Sequence, residues 1–205
     1  MPIVLDYFLI SASPFAYLGH KAFHQLAARH GAEIRYRPIS IAKVWEQSGS
    51  VPLGKRTPLR QRYRRIELQR IADVRGLPIN LEPKFFPVDP TLSDRTVIAL
   101  VEHGADPAGY LWRVHRGLWV EDADIADPGQ LAAYLREEGH DADEMLRAAQ
   151  SAASAEILER NTEAAVAADA VGAPVYVLNG EPFWGQDRLD YLAHALETGR
   201  APFRS

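Results

Sequence analysis

A single apolar run ending on a serine and a proline constrains this chain more than any other stretch. Ile3-Val4-Leu5-Asp6-Tyr7-Phe8-Leu9-Ile10 reads as a strand, and Ser11-Ala12-Ser13-Pro14-Phe15-Ala16-Tyr17-Leu18 turns it directly into a helix. Ser13 suits the cap, where its oxygen takes a free backbone N–H, and Pro14 suits the first helical position, where no amide donor is missed. The serine hydroxyl then sits on the positive end of a helix, where a thiolate or carboxylate would be stabilised by oriented N–H groups. A Ser-Pro pair can equally be a helix start and nothing more, so this stretch alone leaves both roles open.

The helix should run to about His30, with Phe15, Leu18, Ala22 and Leu26 at helical spacing and Gly31 supplying a left-handed stop. Glu33 to Ile39 alternates polar with apolar and predicts a second strand, completing a βαβ unit. From Ser40 to Pro58 turn formers dominate and a loop is expected. Four helix starts then share one chemistry, Thr57-Pro58, Asp89-Pro90, Asp106-Pro107 and Asp127-Pro128. Leu59, Tyr63 and Ile66 mark a helix closing at Gly76, and an alanine-rich helix is expected over roughly residues 142–170. The sheet resumes at Val175 to Leu178, Asn179-Gly180 is a strong hairpin signal, and Glu181 to Trp184 returns antiparallel before a last amphipathic helix. The expected fold is α/β: a thioredoxin-like βαβ–ββα domain, residues 1–44 with 166–205, interrupted by an all-helical insertion over 45–165.

The 205 residues contain no cysteine, which removes disulfides, thiol nucleophiles and thiolate metal sites from this chain. Sulfur chemistry would have to be borrowed from a ligand. With 47% hydrophobic and 24% charged residues and no low-complexity tract, disorder is not expected. A net charge of −4 gives no general attraction to nucleic acid, and no apolar run is long enough to span a membrane. The apolar N-terminal run has no basic leader or small-residue cleavage site, so a cytoplasmic chain is expected. His20 and His24 share a helix face, but no third ligand can be assigned and no metal is expected; His103, His115, His140 and His194 are scattered. Lys55, Arg56, Arg60, Arg62, Arg64, Arg65, Arg70 and Arg75 form a basic stretch. Most suit a solvated helix face, and one or two could attract an anionic substrate. Trp45, Phe85 and Phe86 are candidates for an aromatic wall, or equally for ordinary core.

Three dispersed motifs in order resemble the 2-hydroxychromene-2-carboxylate isomerase family, related to kappa-class glutathione transferases and, more remotely, to DsbA-type oxidoreductases. They are Ser13-Pro14-Phe15-Ala16-Tyr17-Leu18, Gly172-Ala173-Pro174-Val175 and Phe183-Trp184-Gly185-Gln186-Asp187-Arg188-Leu189. The resemblance implies that Ser13 stands where disulfide oxidoreductases carry their redox cysteine, and that glutathione binds with its sulfur against it. It implies a cis Pro174 exposing the backbone around Val175 to the tripeptide, and a last helix start at which Gln186 and Asp187 receive the γ-glutamyl group, with Arg188 steadying the turn. Lys55, Arg56, Trp45, Phe85 and Phe86 would serve a small aromatic carboxylate substrate. The implied protein is a homodimer that isomerises 2-hydroxychromene-2-carboxylate in naphthalene-type catabolism. The alternatives are a kappa-like glutathione transferase or peroxidase, and a non-catalytic thioredoxin-fold binding module. Some relatives carry a substrate-contacting lysine near Trp45 and a glutathione-contacting asparagine near Ser50, departures that leave the substrate open.

Overall fold

In the computed structural model, which describes residues 2–204, the chain runs β1 (Val4–Leu9), α1 (Pro14–Arg29), β2 (Glu33–Pro38), α2 (Ile41–Ser48), α3 (Pro58–Arg75), α4 (Thr91–Glu102), α5 (Ala108–Val120), α6 (Pro128–Glu137), α7 (Ala142–Ala149), α8 (Ala152–Ala167), β3 (Val175–Leu178), β4 (Glu181–Trp184) and α9 (Leu189–Thr198). The strands form one sheet in the order β2-β1-β3-β4, with β1 parallel to β2 and antiparallel to β3, and β3 antiparallel to β4. This is the expected thioredoxin-like arrangement, with only helices and turns described between β2 and β3. Asn179 and Gly180 both take positive φ, 52° and 81°, as a two-residue hairpin turn between β3 and β4 requires.

Alternation along β1 feeds two cores. Leu5, Tyr7 and Leu9 point toward α1, where Tyr7 stacks on Tyr176 with ring centroids 5.3 Å apart and Phe23 lies 4.3 Å from Tyr176. Phe8, Val175 and Val177 point the other way, against Val44 of α2 and Ala165 of α8. The larger core is continuous from Leu9 and Phe23 through Leu100, Leu118 and Leu135 to Leu192, so the helices between β2 and β3 share it with the sheet.

Several elements depart from the sequence reading. The expected loop after β2 contains α2: Val44 is fully buried, Ser40 N–H donates to Thr162 Oγ1 at 2.9 Å, and Gly49 ends the helix at φ 70°. Eight residues among turn formers carry too little periodicity to announce a helix, and packing on α8 supplies the stability that propensity does not. The long alanine-rich helix breaks in two because Ser151 caps α8, its Oγ accepting the Ser154 N–H at 3.2 Å. Thr57-Pro58 and Asp127-Pro128 start helices as expected, whereas Asp89 and Asp106 accept N–H groups of Thr91 and Ala108 and push each start one residue past its proline. On α3, Leu59, Tyr63 and Ile66 face outward, and Leu68 and Ala72 make the core contact instead.

Candidate active site

The turn from β1 into α1 carries Ser13 at φ −79°, ψ 122°, its Oγ accepting the Ala16 N–H at 3.2 Å and its carbonyl accepting the Tyr17 N–H at 3.0 Å. Pro14 has no N–H, so Phe15 supplies the helix-start donor that has no intrahelical partner. Among the described hydrogen bonds the Ser13 hydroxyl acts only as acceptor, which leaves its own hydrogen for a ligand. Ser13 is 4% exposed and lies on the wall of a cleft of about 420 Å³.

Behind the turn, Ser11 is wholly buried and held to α4 and α5 at three points. Its N–H donates to Asp94 Oδ1 at 2.7 Å, its Oγ meets Ser93 Oγ at 2.6 Å, and its carbonyl accepts from His115 Nδ1 at 2.9 Å. Ser93 Oγ donates to the Pro90 carbonyl at 2.9 Å, so Ser11 is the donor between the two hydroxyls. Burial pushes the Asp94 carboxyl up to about 7, against the Ser11 hydrogen bonds that lower it. Burial likewise takes His115 down to about 3, so His115 is neutral with its proton on Nδ1. His115 is not scattered from the other histidines, as the sequence suggested. It meets His20 edge-on at 5.6 Å, and His20 lies 4.1 Å from His24, an aromatic seam that clamps α1 to α5.

The cleft gathers some of the predicted residues and not others. Its lining includes Ser13, Trp45, Arg56, Phe86, Asp187 and Arg188. The Ala173–Pro174 bond is cis, and Pro174 is buried, its carbonyl accepting the Gly185 N–H at 2.8 Å. Val175 is not the exposed edge expected of it. It is fully buried on the inner strand β3, paired to both Phe8 and Trp184, and the residues of this segment that line the cleft are Gly172 and Ala173. Gln186 also turns away: it is 3% exposed and accepts from Arg75 Nη2 at 3.0 Å, tying α9's start to α3 rather than to the cleft. Asp187 is exposed, in an ion pair with Arg188. Lys55 is exposed outside the cleft, and Phe85 packs on the core instead of lining it.

The sequence reading did not single out Arg64, which enters the cleft beside Arg56. Its guanidinium lies 5.8 Å from the Phe15 ring and 5.9 Å from that of Phe86, while Arg56 lies 5.8 Å from Trp45. Burial and the neighbouring Arg56 charge push Arg64 down to about 10. Its spacing from Leu68 and Ala72, one and two helical turns on, was the available signal.

The arrangement places a hydroxyl and a helix start beside an apolar wall, in a cleft open to a small ligand. The residues fit glutathione by the chemistry of their donors. Ser13 offers an unclaimed hydroxyl hydrogen, Asp187 a carboxylate for an ammonium, and Gly172 and Ala173 a backbone edge, around a volume suited to a small ligand. Comparison with known proteins agrees in scale and fold. Residues 4–197 match the DSBA-like thioredoxin domain. A 2-hydroxychromene-2-carboxylate isomerase of Pseudomonas putida is 30% identical, covering 95% of this chain and 94% of its own. Glutathione S-transferase kappa 2 of Caenorhabditis elegans is 26% identical over 98% of this chain and 95% of its own. A solved 2-hydroxychromene-2-carboxylate isomerase superposes with a TM-score of 0.80 at 28% identity, covering 95% of each chain. The cytosolic disulfide reductase DsbM of Pseudomonas aeruginosa, solved with GSH, shares the fold at a TM-score of 0.71 and 18% identity, covering 96% of this chain and 98% of its own.

Proposed function

The chain belongs to the 2-hydroxychromene-2-carboxylate isomerase family of DSBA-like thioredoxin domains, and from that premise we propose that it is a glutathione-dependent isomerase of aromatic catabolism. The reaction interconverts 2-hydroxychromene-2-carboxylate and trans-o-hydroxybenzylidenepyruvate in the cytoplasm. The observation that carries this reading is Ser13: a nearly buried hydroxyl at a helix start, its hydrogen free for a ligand, in a chain without cysteine. Glutathione, when bound, would supply a thiol that adds reversibly to the double bond conjugated with the pyruvoyl carbonyl of the ring-opened substrate, so that the former double bond could turn as a single bond before the thiol leaves.

The chain's own residues prepare that step. The Ser13 hydroxyl and the Phe15 N–H stabilise a thiolate, and a charge-assisted hydrogen bond of about 1.5–3 kcal/mol lowers the thiol by roughly one to two pH units from about 8.5. Asp187 holds the γ-glutamyl ammonium, exchanging its exposed partner Arg188 at little cost. The Gly172–Ala173 backbone, fixed by the bond from Gly185 to Pro174, pairs with the tripeptide. Trp45 and Phe86 flank the substrate ring and keep water from it.

The test is turnover of 2-hydroxychromene-2-carboxylate with and without glutathione, with glutathione assayed at the end. Isomerisation that needs glutathione and returns all of it supports the reading. Turnover without glutathione contradicts it. The kappa-class relative favours one second reading, a transferase, and net consumption of glutathione would select that.

A further inference from the structure

Arg56 and Arg64 are the two positive groups on the substrate side of the cleft, and among the described residues neither is ion-paired. On α3, Arg65 is answered by Glu82, Arg70 by Glu67 and Arg75 by Gln186, while Arg60 and Arg62 are exposed to solvent outside the cleft; Arg64 is the arginine of this helix that lines it. Arg56 donates through Nε to the Val51 carbonyl at 2.7 Å, which fixes its position without neutralising its charge. Arg64 has no described hydrogen bond; its half-buried guanidinium lies between the rings of Phe15 and Phe86.

Two like charges brought together beside aromatic walls, one of them partly withdrawn from water, repel each other and lose hydration. Both costs fall when an anion lies between them. The lining carboxylate, Asp187, is paired with Arg188 and on the proposed reading takes the ammonium of glutathione, so it is not assigned to these arginines. A ligand's anionic group placed there would answer both charges, and the surrounding faces of Phe15, Phe86 and Trp45 suit a planar ring.

We propose that Arg56 and Arg64 form the subsite for the substrate's carboxylate, Arg64 as a planar fork and Arg56 as the second charge, and that together they restrict this cleft to aromatic acids. The proposal deepens the isomerase reading and rests on it for the chemistry, but the subsite can be measured without glutathione. Arg64 is then a specificity-determining residue supplied by the stripe of α3 that carries Leu68 and Ala72.

The probes are trans-cinnamate, an aromatic carboxylate with a conjugated double bond, and its neutral amide, titrated calorimetrically into glutathione-free full-length protein. The wild-type chain should bind cinnamate at least about tenfold more tightly than cinnamamide. Arg64→Gln should weaken cinnamate about 10- to 100-fold and leave cinnamamide unchanged. Arg64→Lys should recover only part of the loss, because an ammonium cannot form two parallel bonds. Glutathione affinity, titrated separately, should be the same in Arg64→Gln and wild type. The proposal is overturned if wild type does not prefer cinnamate, if Arg64→Gln weakens acid and amide alike, or if the loss falls on glutathione, which would assign the arginine to a glutathione carboxylate. If cinnamate selectivity holds while glutathione shows no binding heat, the isomerase reading fails and the anion subsite stands.

Discussion

Ser13 faces the cleft and Ser11 faces the interior, so two hydroxyls on one turn meet opposite environments. The interior one donates to Ser93 Oγ, and the Ser11 N–H beside it is answered by Asp94, whose carboxyl is pushed up to about 7 in the folded chain because burial disfavours its charge. In the unfolded chain it titrates near 3.8. Between those values the folded state holds a proton that the unfolded state has released. This contribution is fully present below pH 3.8, falls as pH rises toward 7, and is flat above it. Asp94→Asn keeps an acceptor for the Ser11 N–H and abolishes that slope. Urea midpoints from pH 4 to 8 should show the variant gaining on the wild type up to pH 7 and no further. Asp94→Ala should instead lose about 1–3 kcal/mol by leaving the buried Ser11 N–H unpaired. None of this was legible in the sequence, where Asp94 is one acidic residue in a helix and only the fold brings it 83 positions back to Ser11.

At the scale of elements, α1 is the hub. Its start carries Ser13, its middle approaches the turn before α9, its His20 faces Trp112 and His115 of α5, and its His24 hydrogen-bonds with Tyr36 of β2. The approach is possible because Gly19 has no side chain; a Cβ there would lie 2.6 Å from the Gln186 Cβ and 3.1 Å from the Tyr176 hydroxyl. Gly19→Ala should therefore cost about 1–3 kcal/mol in urea unfolding and weaken glutathione binding through the displaced Asp187 turn. The sequence declared α1 clearly because cap, proline, apolar spacing and the Gly31 stop all agree. It misjudged α3 because that helix has two apolar stripes. The outward stripe of Leu59, Tyr63 and Ile66 is as regular as the inward one of Leu68 and Ala72, and local spacing cannot say which meets α1. The same ambiguity left Arg64 undistinguished among the eight basic residues of this stretch. Likewise Val175 and Gln186 were placed by motif in the cleft, yet strand pairing and an arginine on another helix turn them inward.

Across the whole molecule, one buried cluster joins the sheet to the helices between β2 and β3, and the cleft takes residues from both. Chemical unfolding should accordingly be a single transition, with tryptophan fluorescence and far-ultraviolet dichroism sharing one midpoint, since Trp119 lies in the shared core. An earlier loss of either signal would mean that the helices unfold on their own. The succession of elements, the βαβ unit and the β3–β4 hairpin were readable from local signals, whereas the pairing of β1 with β3 appears only in the fold. The assembly of the cleft was not readable, because its residues lie as far apart as Ser13 and Asp187 and meet only through tertiary packing. The central claim is that Ser13 makes a borrowed thiol reactive, and the most direct test is the titration of bound glutathione by its thiolate ultraviolet absorbance. In the wild-type chain the thiol should ionise roughly one to two pH units below the free value, and in Ser13→Ala it should return toward about 8.5; an identical titration in the two proteins would contradict the account.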